Sequence, residues 1–111
     1  MKLKQFDLWL ADLSPTFGTE PGKTRPVVII QTDLLNESHL STIVCPITTN
    51  VQPEAEILRV HLEAGQLKQL SDILVDQPRA IDNKRFLKRL GMLKPDQITQ
   101  LKYNLKIVLD L

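Results

Sequence analysis

Arg25-Pro26-Val27-Val28-Ile29-Ile30-Gln31 is the stretch on which the fold turns. Its four consecutive β-branched residues stand between polar positions. Successive strand side chains point to opposite faces, so an unbroken apolar run reads as a strand buried on both sides. Moving towards the N-terminus, Asp7 to Leu13 reads as a second strand, with Leu8 and Leu10 on one side and Trp9 and Ala11 on the other. The connection between them, Ser14 to Thr24, carries two prolines and two glycines. Connections of that length in small domains are disproportionately functional.

Moving the other way, Thr32 to Ser38 reads as a turn or a single helical turn, with Asp33 a candidate cap. Ser41 to Cys45 is a third strand, stopped or edged by Pro46 and continued by Ile47 to Asn50. From Glu56 to Leu62 the pattern alternates, placing Leu58, Val60 and Leu62 opposite Ile57, Arg59 and His61. A turn around Gly65 leads to a strand over Ser71 to Asp76. After Pro78 comes a short extended piece, Arg79-Ala80-Ile81, and Asp82 is placed to cap a short helix carrying Lys84, Arg85 and Phe86. Pro95 suits the first position of a terminal helix, whose Ile98, Leu101, Leu105 and Val108/Leu109 recur at helical spacing. Several short strands and one terminal helix predict a mainly β domain spanning residues 1–111, a curled, barrel-like sheet with the helix packed on it.

Composition narrows the chemistry. The 111 residues include one cysteine, Cys45, which fits a reducing compartment rather than a disulfide framework. No apolar run has signal-peptide or membrane-spanning length, so a soluble, cytoplasmic protein is expected. Net charge is only +1, yet residues 79–94 hold six cations against the single Asp82, while residues 51–78 hold two against five acids. A charge run is usually a solvated face; the alternative is a patch for an acidic partner or an RNA backbone.

His39 and His61 lie on separate segments without metal-ligand spacing, and no metal or cofactor is expected. Gly18 to Thr24 has P-loop-like ends but the wrong spacing, and it precedes a strand rather than a helix. Cys45, inside an apolar strand, reads as a small buried hydrophobe. What remains is Arg25 at the start of the buried strand and Thr48-Thr49 at the end of another. An arginine beside so apolar a run must snorkel, pair or face a cleft. By composition alone, an ion pair with Glu20 or an aspartate at the barrel mouth is a slightly better reading than a functional one.

Three blocks in order change that balance. Asp7-Leu8-Trp9-Leu10-Ala11-Asp12-Leu13-Ser14-Pro15 with Gly18 to Ile29, then Cys45-Pro46-Ile47-Thr48-Thr49-Asn50, then Ser71 to Gln77 with Arg79-Ala80-Ile81-Asp82 and Arg85, resemble the MazF/PemK family over essentially the whole chain. Phe6 is a departure, since many relatives place a glycine there. The resemblance implies an SH3-like barrel of the CcdB/PemK kind, a homodimer, and the toxin of a type II toxin–antitoxin pair. It also implies metal-independent, sequence-specific cleavage of single-stranded RNA until an acidic, partly disordered antitoxin covers the site.

The resemblance further implies Arg25 and Thr48 as catalytic residues, with Glu20 a weaker third. Phe17, Lys23, Thr49, Gln77, Arg79 and Arg85 are candidate RNA contacts. Chemically, the RNA 2′-hydroxyl would attack the adjacent phosphate and leave a 2′,3′-cyclic phosphate. Arg25 suits the charge that develops, but an arginine is a poor base, which leaves Glu20 as the nearby candidate for that step. CcdB-type toxins share the barrel but poison DNA gyrase by contact through a Trp-containing C-terminal tail. This chain ends Leu109-Asp110-Leu111 and its only tryptophan is Trp9, which favours the nuclease.

Overall fold

The β-branched run forms the second strand of a seven-stranded antiparallel sheet in a computed structural model that describes residues 2–14, 18–19 and 23–111. The strands are β1 (Asp7–Asp12), β2 (Thr24–Ile29), β3 (Ser41–Thr48), β4 (Arg59–Leu62), β5 (Ser71–Leu74), β6 (Arg79–Asp82) and β7 (Phe86–Met92), followed by helix α1 (Pro95–Leu109). Their order is β4-β5-β3-β2-β1-β7, and β6 also pairs with β3. The sheet curls so that its central strands are covered on both faces. Leu8, Val28, Cys45 and Ile47 face one core with Val60, Ile73 and Leu101, while Trp9, Val27, Ile29 and Val44 face a second with Ile81 and Phe86. Adjacent residues therefore belong to opposite cores, as an apolar run without alternation requires.

Pro46 does not interrupt β3. The far edge of β3 pairs with β6 through Val44 and with β5 from Ile47, so Pro46 falls where the partner strand changes. A residue without an N–H is tolerated there because on that edge neither β5 nor β6 pairs with it. Two other strands are shorter than their patterns: β4 begins at Arg59, with Ile57 and Leu58 half-exposed, and β5 ends at Leu74.

The clear miss is β7. Asp82 does cap a short helix, its carboxylate accepting from Lys84 N at 2.8 Å, but that helix is one 3₁₀ turn over Asn83–Arg85 and Phe86 already opens the strand. β7 is an edge strand carrying Lys88 and Arg89, and it meets β1 with two register shifts. Charged residues and bulges protect an edge, and the same features erase the period-2 signal.

Helix α1 seats Leu101 in the first core, flanked by Ile98, Leu105 and Val108, whereas Leu109 is half-exposed. Two buried polar groups fix its seat: Asn104 Nδ2 donates to the carbonyls of Glu56 (2.9 Å) and Arg59 (3.2 Å), and the Gln97 and Gln66 amides bond each other reciprocally at 2.6 and 2.8 Å. Phe6, where relatives carry glycine, adopts φ 69°, a left-handed conformation that disfavours a side chain. It is held there by its N–H donating to Ile29 O at 2.7 Å and its carbonyl accepting from Leu93 N at 3.0 Å.

Burial, with Asp76 adding a smaller contribution, pushes the Cys45 thiol up to about 12. The folded protein therefore holds it neutral, and thiol reagents label Cys45 only as fast as the protein opens. Quantifying label by mass spectrometry with and without denaturant checks this: rapid labelling of the native protein at pH 8 would contradict it. The linkage has the same sign. The folded thiol holds its proton longer than the unfolded one, so this contribution to stability is complete below the unfolded value of 9.0 and falls away as pH rises towards 12.

Candidate active-site cleft

Val27 pairs with Pro46 and Val28 with Cys45, so each pair on β2 and β3 keeps one register. Continued to the strand ends, that register sets Arg25 across from Thr48. On its other side, Arg25 pairs with Ala11 of β1, and Thr48 pairs with Asp72 of β5. Both residues line a cleft of about 270 Å³ with Lys23, Pro26, Thr49 and Ser71. Two cations and no carboxylate contribute to its described walls, so the cleft attracts an anion. Arg25 is half-buried at the strand start, where the ladder fixes its backbone. Thr48 Oγ1 accepts from Asn50 N at 3.1 Å, which leaves its hydroxyl hydrogen available to a guest.

The chain after Thr48 is tied down by a buried carboxylate. Asp72, fully buried, accepts from Arg59 Nη1 at 3.0 Å and Gln52 N at 2.8 Å through one oxygen, and contacts His61 Nδ1 at 2.7 Å through the other. Arg59 Nη1 also donates to Asn50 O at 2.9 Å, and His61 Nε2 lies 3.1 Å from Ala55 O. Three groups on β4 and β5 thus grip residues 50, 52 and 55 of the segment that leaves the cleft. The sequence hints at this through Asp72 beside the apolar run Ile73 to Val75 and through Arg59 and His61 on one face of β4, but nothing in either segment alone points to the chain after Thr48.

The structure brings together Arg25, Thr48, Lys23 and Thr49 of the residues singled out by sequence. Phe17 and Glu20 lie outside the described residues. Gln77, Arg79 and Arg85 do not line this cleft. Gln77 Oε1 and Arg79 Nη1 are buried without a partner among the described residues, and Arg85 Nη1 donates to the carbonyls of Asp12 (3.0 Å) and Ser14, bracing the end of β1. Elsewhere the basic segment is partly neutralised by the Arg89–Asp7 and Lys94–Glu63 pairs, both 3.1 Å. Among the described residues no group of three metal-ligating side chains gathers, and no helix is long and apolar enough to cross a membrane.

A family model described as a PemK-like, MazF-like toxin of type II toxin–antitoxin systems matches residues 4–109. A protein of Staphylococcus epidermidis called endoribonuclease MazF is 36% identical over 111 residues, covering 98% of this chain and 92% of that relative. In three dimensions, MazF of Deinococcus radiodurans superposes with a TM-score of 0.86 at 21% identity, covering 100% of this chain and 99% of the other. The Mycobacterium tuberculosis toxin MazF-mt6 gives 0.78 at 25% identity, covering 95% and 97%. A MazE–MazF assembly from D. radiodurans gives 0.81 at 20%, covering 100% and 98%.

Proposed function

The chain belongs to the PemK-like, MazF-like toxins of type II toxin–antitoxin systems, and we propose that the Arg25–Thr48 cleft is where it cuts RNA. It is an endoribonuclease, and the reading of its site rests on one observation above others: Arg25 and Thr48, which the β2–β3 register carried past Val27 and Pro46 sets opposite each other, line one cleft whose described walls hold no carboxylate. Single-stranded RNA carries its own nucleophile, the 2′-hydroxyl, so the protein has to place charge rather than supply a covalent partner. Attack gives a crowded phosphorane whose non-bridging oxygens gain charge. The planar guanidinium of Arg25 offers several fixed donors to those oxygens, and Thr48 donates one more from the facing strand. Collapse expels the 5′-oxygen, which takes up a proton and leaves as the 5′-hydroxyl, and the 2′,3′-cyclic phosphate remains.

The attacking hydroxyl must lose a proton. Arginine stays charged at any working pH, and among the described residues no carboxylate lines the cleft. Glu20, on the β1–β2 connection, is the acid we assign to that step when substrate is bound. The chain acts in the cytoplasm as a homodimer, and an acidic antitoxin segment neutralises it by occupying the same cationic cleft.

The decisive experiment incubates the purified protein with a long unstructured RNA in excess chelator and maps the ends. Cuts at defined sites with cyclic-phosphate termini are expected. A strand with deoxyribose at the mapped position stays intact; if it were cut as well, the 2′-hydroxyl would not be the nucleophile. Thr48→Ala slows cleavage about tenfold to a hundredfold, the worth of a hydrogen bond to a charged group. Thr48→Ser, which keeps the hydroxyl, retains most of the rate. Equal rates for the two variants, measured as single-turnover cleavage, would remove Thr48 from the reaction.

A further inference from the structure

We propose that the hollow beside the cleft, walled by Leu10, Pro26, Leu67 and Leu90 and rimmed by Lys68 and Lys88, is a nucleobase subsite for a nucleotide flanking the cut. This inference rests on the reading of the cleft as an RNA site. The hollow encloses about 610 Å³, within the roughly 300–1,000 Å³ typical of small-ligand sites. It adjoins the cleft, since Pro26, Thr49 and Ser71 line both.

The topology builds it in one rung. Leu10 pairs with Pro26 on β2 and with Lys88 on β7, so three adjacent strands present one apolar floor ending in a cation. The segment between β4 and β5 supplies the facing wall, where Leu67 and Lys68 follow the turn at Gly65.

The composition of this hollow differs from that of the cleft. The cleft is small, polar and cationic, suited to a phosphate. The hollow has aliphatic walls deep inside and ammonium groups only at the lip. A nucleotide has the same division, with an apolar base face to bury and a phosphate to neutralise. The amide of Gln69, also lining the hollow, carries a donor and an acceptor that can meet the polar edge of a base. A strand whose scissile phosphate lies against Arg25 and Thr48 must continue past Pro26 or Thr49, and the hollow begins there.

Binding rather than cutting provides the test. The full chain is titrated, by fluorescence anisotropy, against single-stranded 2′-O-methyl RNA heptamers, which cannot be cleaved. An abasic nucleotide is then placed at each position of the tightest one. One position is expected to weaken binding about tenfold and the others little, since a buried base is worth that much or more. Leu90→Trp, which fills the hollow, is expected to erase the penalty at that position alone. Lys88→Glu, at an exposed rim position, provides the check should Leu90→Trp not fold; it is expected to weaken the intact heptamer at least fivefold.

Equal abasic penalties in the wild type and Leu90→Trp overturn the subsite, as does unchanged binding by Lys88→Glu. It is likewise overturned if pocket variants bind RNA normally but escape inhibition by an acidic antitoxin peptide, since the hollow then takes the peptide. Cleavage is scored separately. A protein that shows the positional penalty yet cuts nothing loses the catalytic reading and keeps the subsite; one that cuts without the penalty does the reverse.

Discussion

Arg25→Ala is expected to lower RNA cleavage by about 10²–10³ while leaving the fold in place, since a preorganised donor aimed at developing charge is worth about that much. The argument for a catalytic rather than structural effect comes from where Arg25 stands. Its backbone is held by β1 through the Ala11 pairing, and Val27 and Val28 further along the strand fill the two cores, so the contacts that seat β2 are kept in Arg25→Ala. Thermal unfolding should therefore shift by no more than a few degrees. Arg25→Lys separates charge from geometry: it keeps a cation but loses the planar fork, and an intermediate rate is expected. An alanine variant that unfolds would make Arg25 a structural member of the barrel mouth. A folded variant that still cuts at the wild-type rate would move the reaction elsewhere.

The sequence made the centre of this molecule legible and its edges less so. β1, β2 and β3 are buried on both faces, and burial is what apolar patterning records; Val27 to Ile30, Leu8 and Trp9 could be placed before any coordinates. β7 escaped because its partner relationship is written in backbone hydrogen bonds, while between the buried Phe86 and the partly buried Leu90 its side chains answer to solvent and to Asp7. Arg25 and Thr48 were visible as residues of the right type at strand ends. Their opposition was not, because register is a pairwise property that one strand does not encode alone. Arg85 shows the converse. It read as a candidate phosphate ligand, and its guanidinium bonds instead to the carbonyls that end β1.

Asp72 was hidden for a related reason, and its replacement carries the largest expected effect on stability. Asp72→Ala should cost about 3–5 kcal/mol, the cost of leaving a buried charge without its partner. Arg59, only 12% exposed at its side chain, would lose its carboxylate, and the Gln52 N–H would lose its acceptor. Against a total of about 5–15 kcal/mol for a domain of ordinary stability, this is a large fraction, and the thermal midpoint should fall by more than about 10 °C. Asp72→Asn keeps an oxygen for one donor and should fall between. His61→Ala should matter less, because His61 is 44% exposed at its side chain and water can replace it.

The effect should also reach the cleft, because Asp72 is the β5 partner of Thr48 and its ligands hold the segment that follows. With that segment released, the Thr49 wall is free to move. Well below the new midpoint, Asp72→Asn should then raise KM for RNA more than it lowers kcat. A purely structural aspartate would leave both constants unchanged in the folded fraction. Arg59→Ala combined with Asp72→Asn should cost less than the sum of the two single changes, since the first removes the cation that the second leaves unpaired. Strict additivity in unfolding free energy would show that Arg59 and Asp72 act separately.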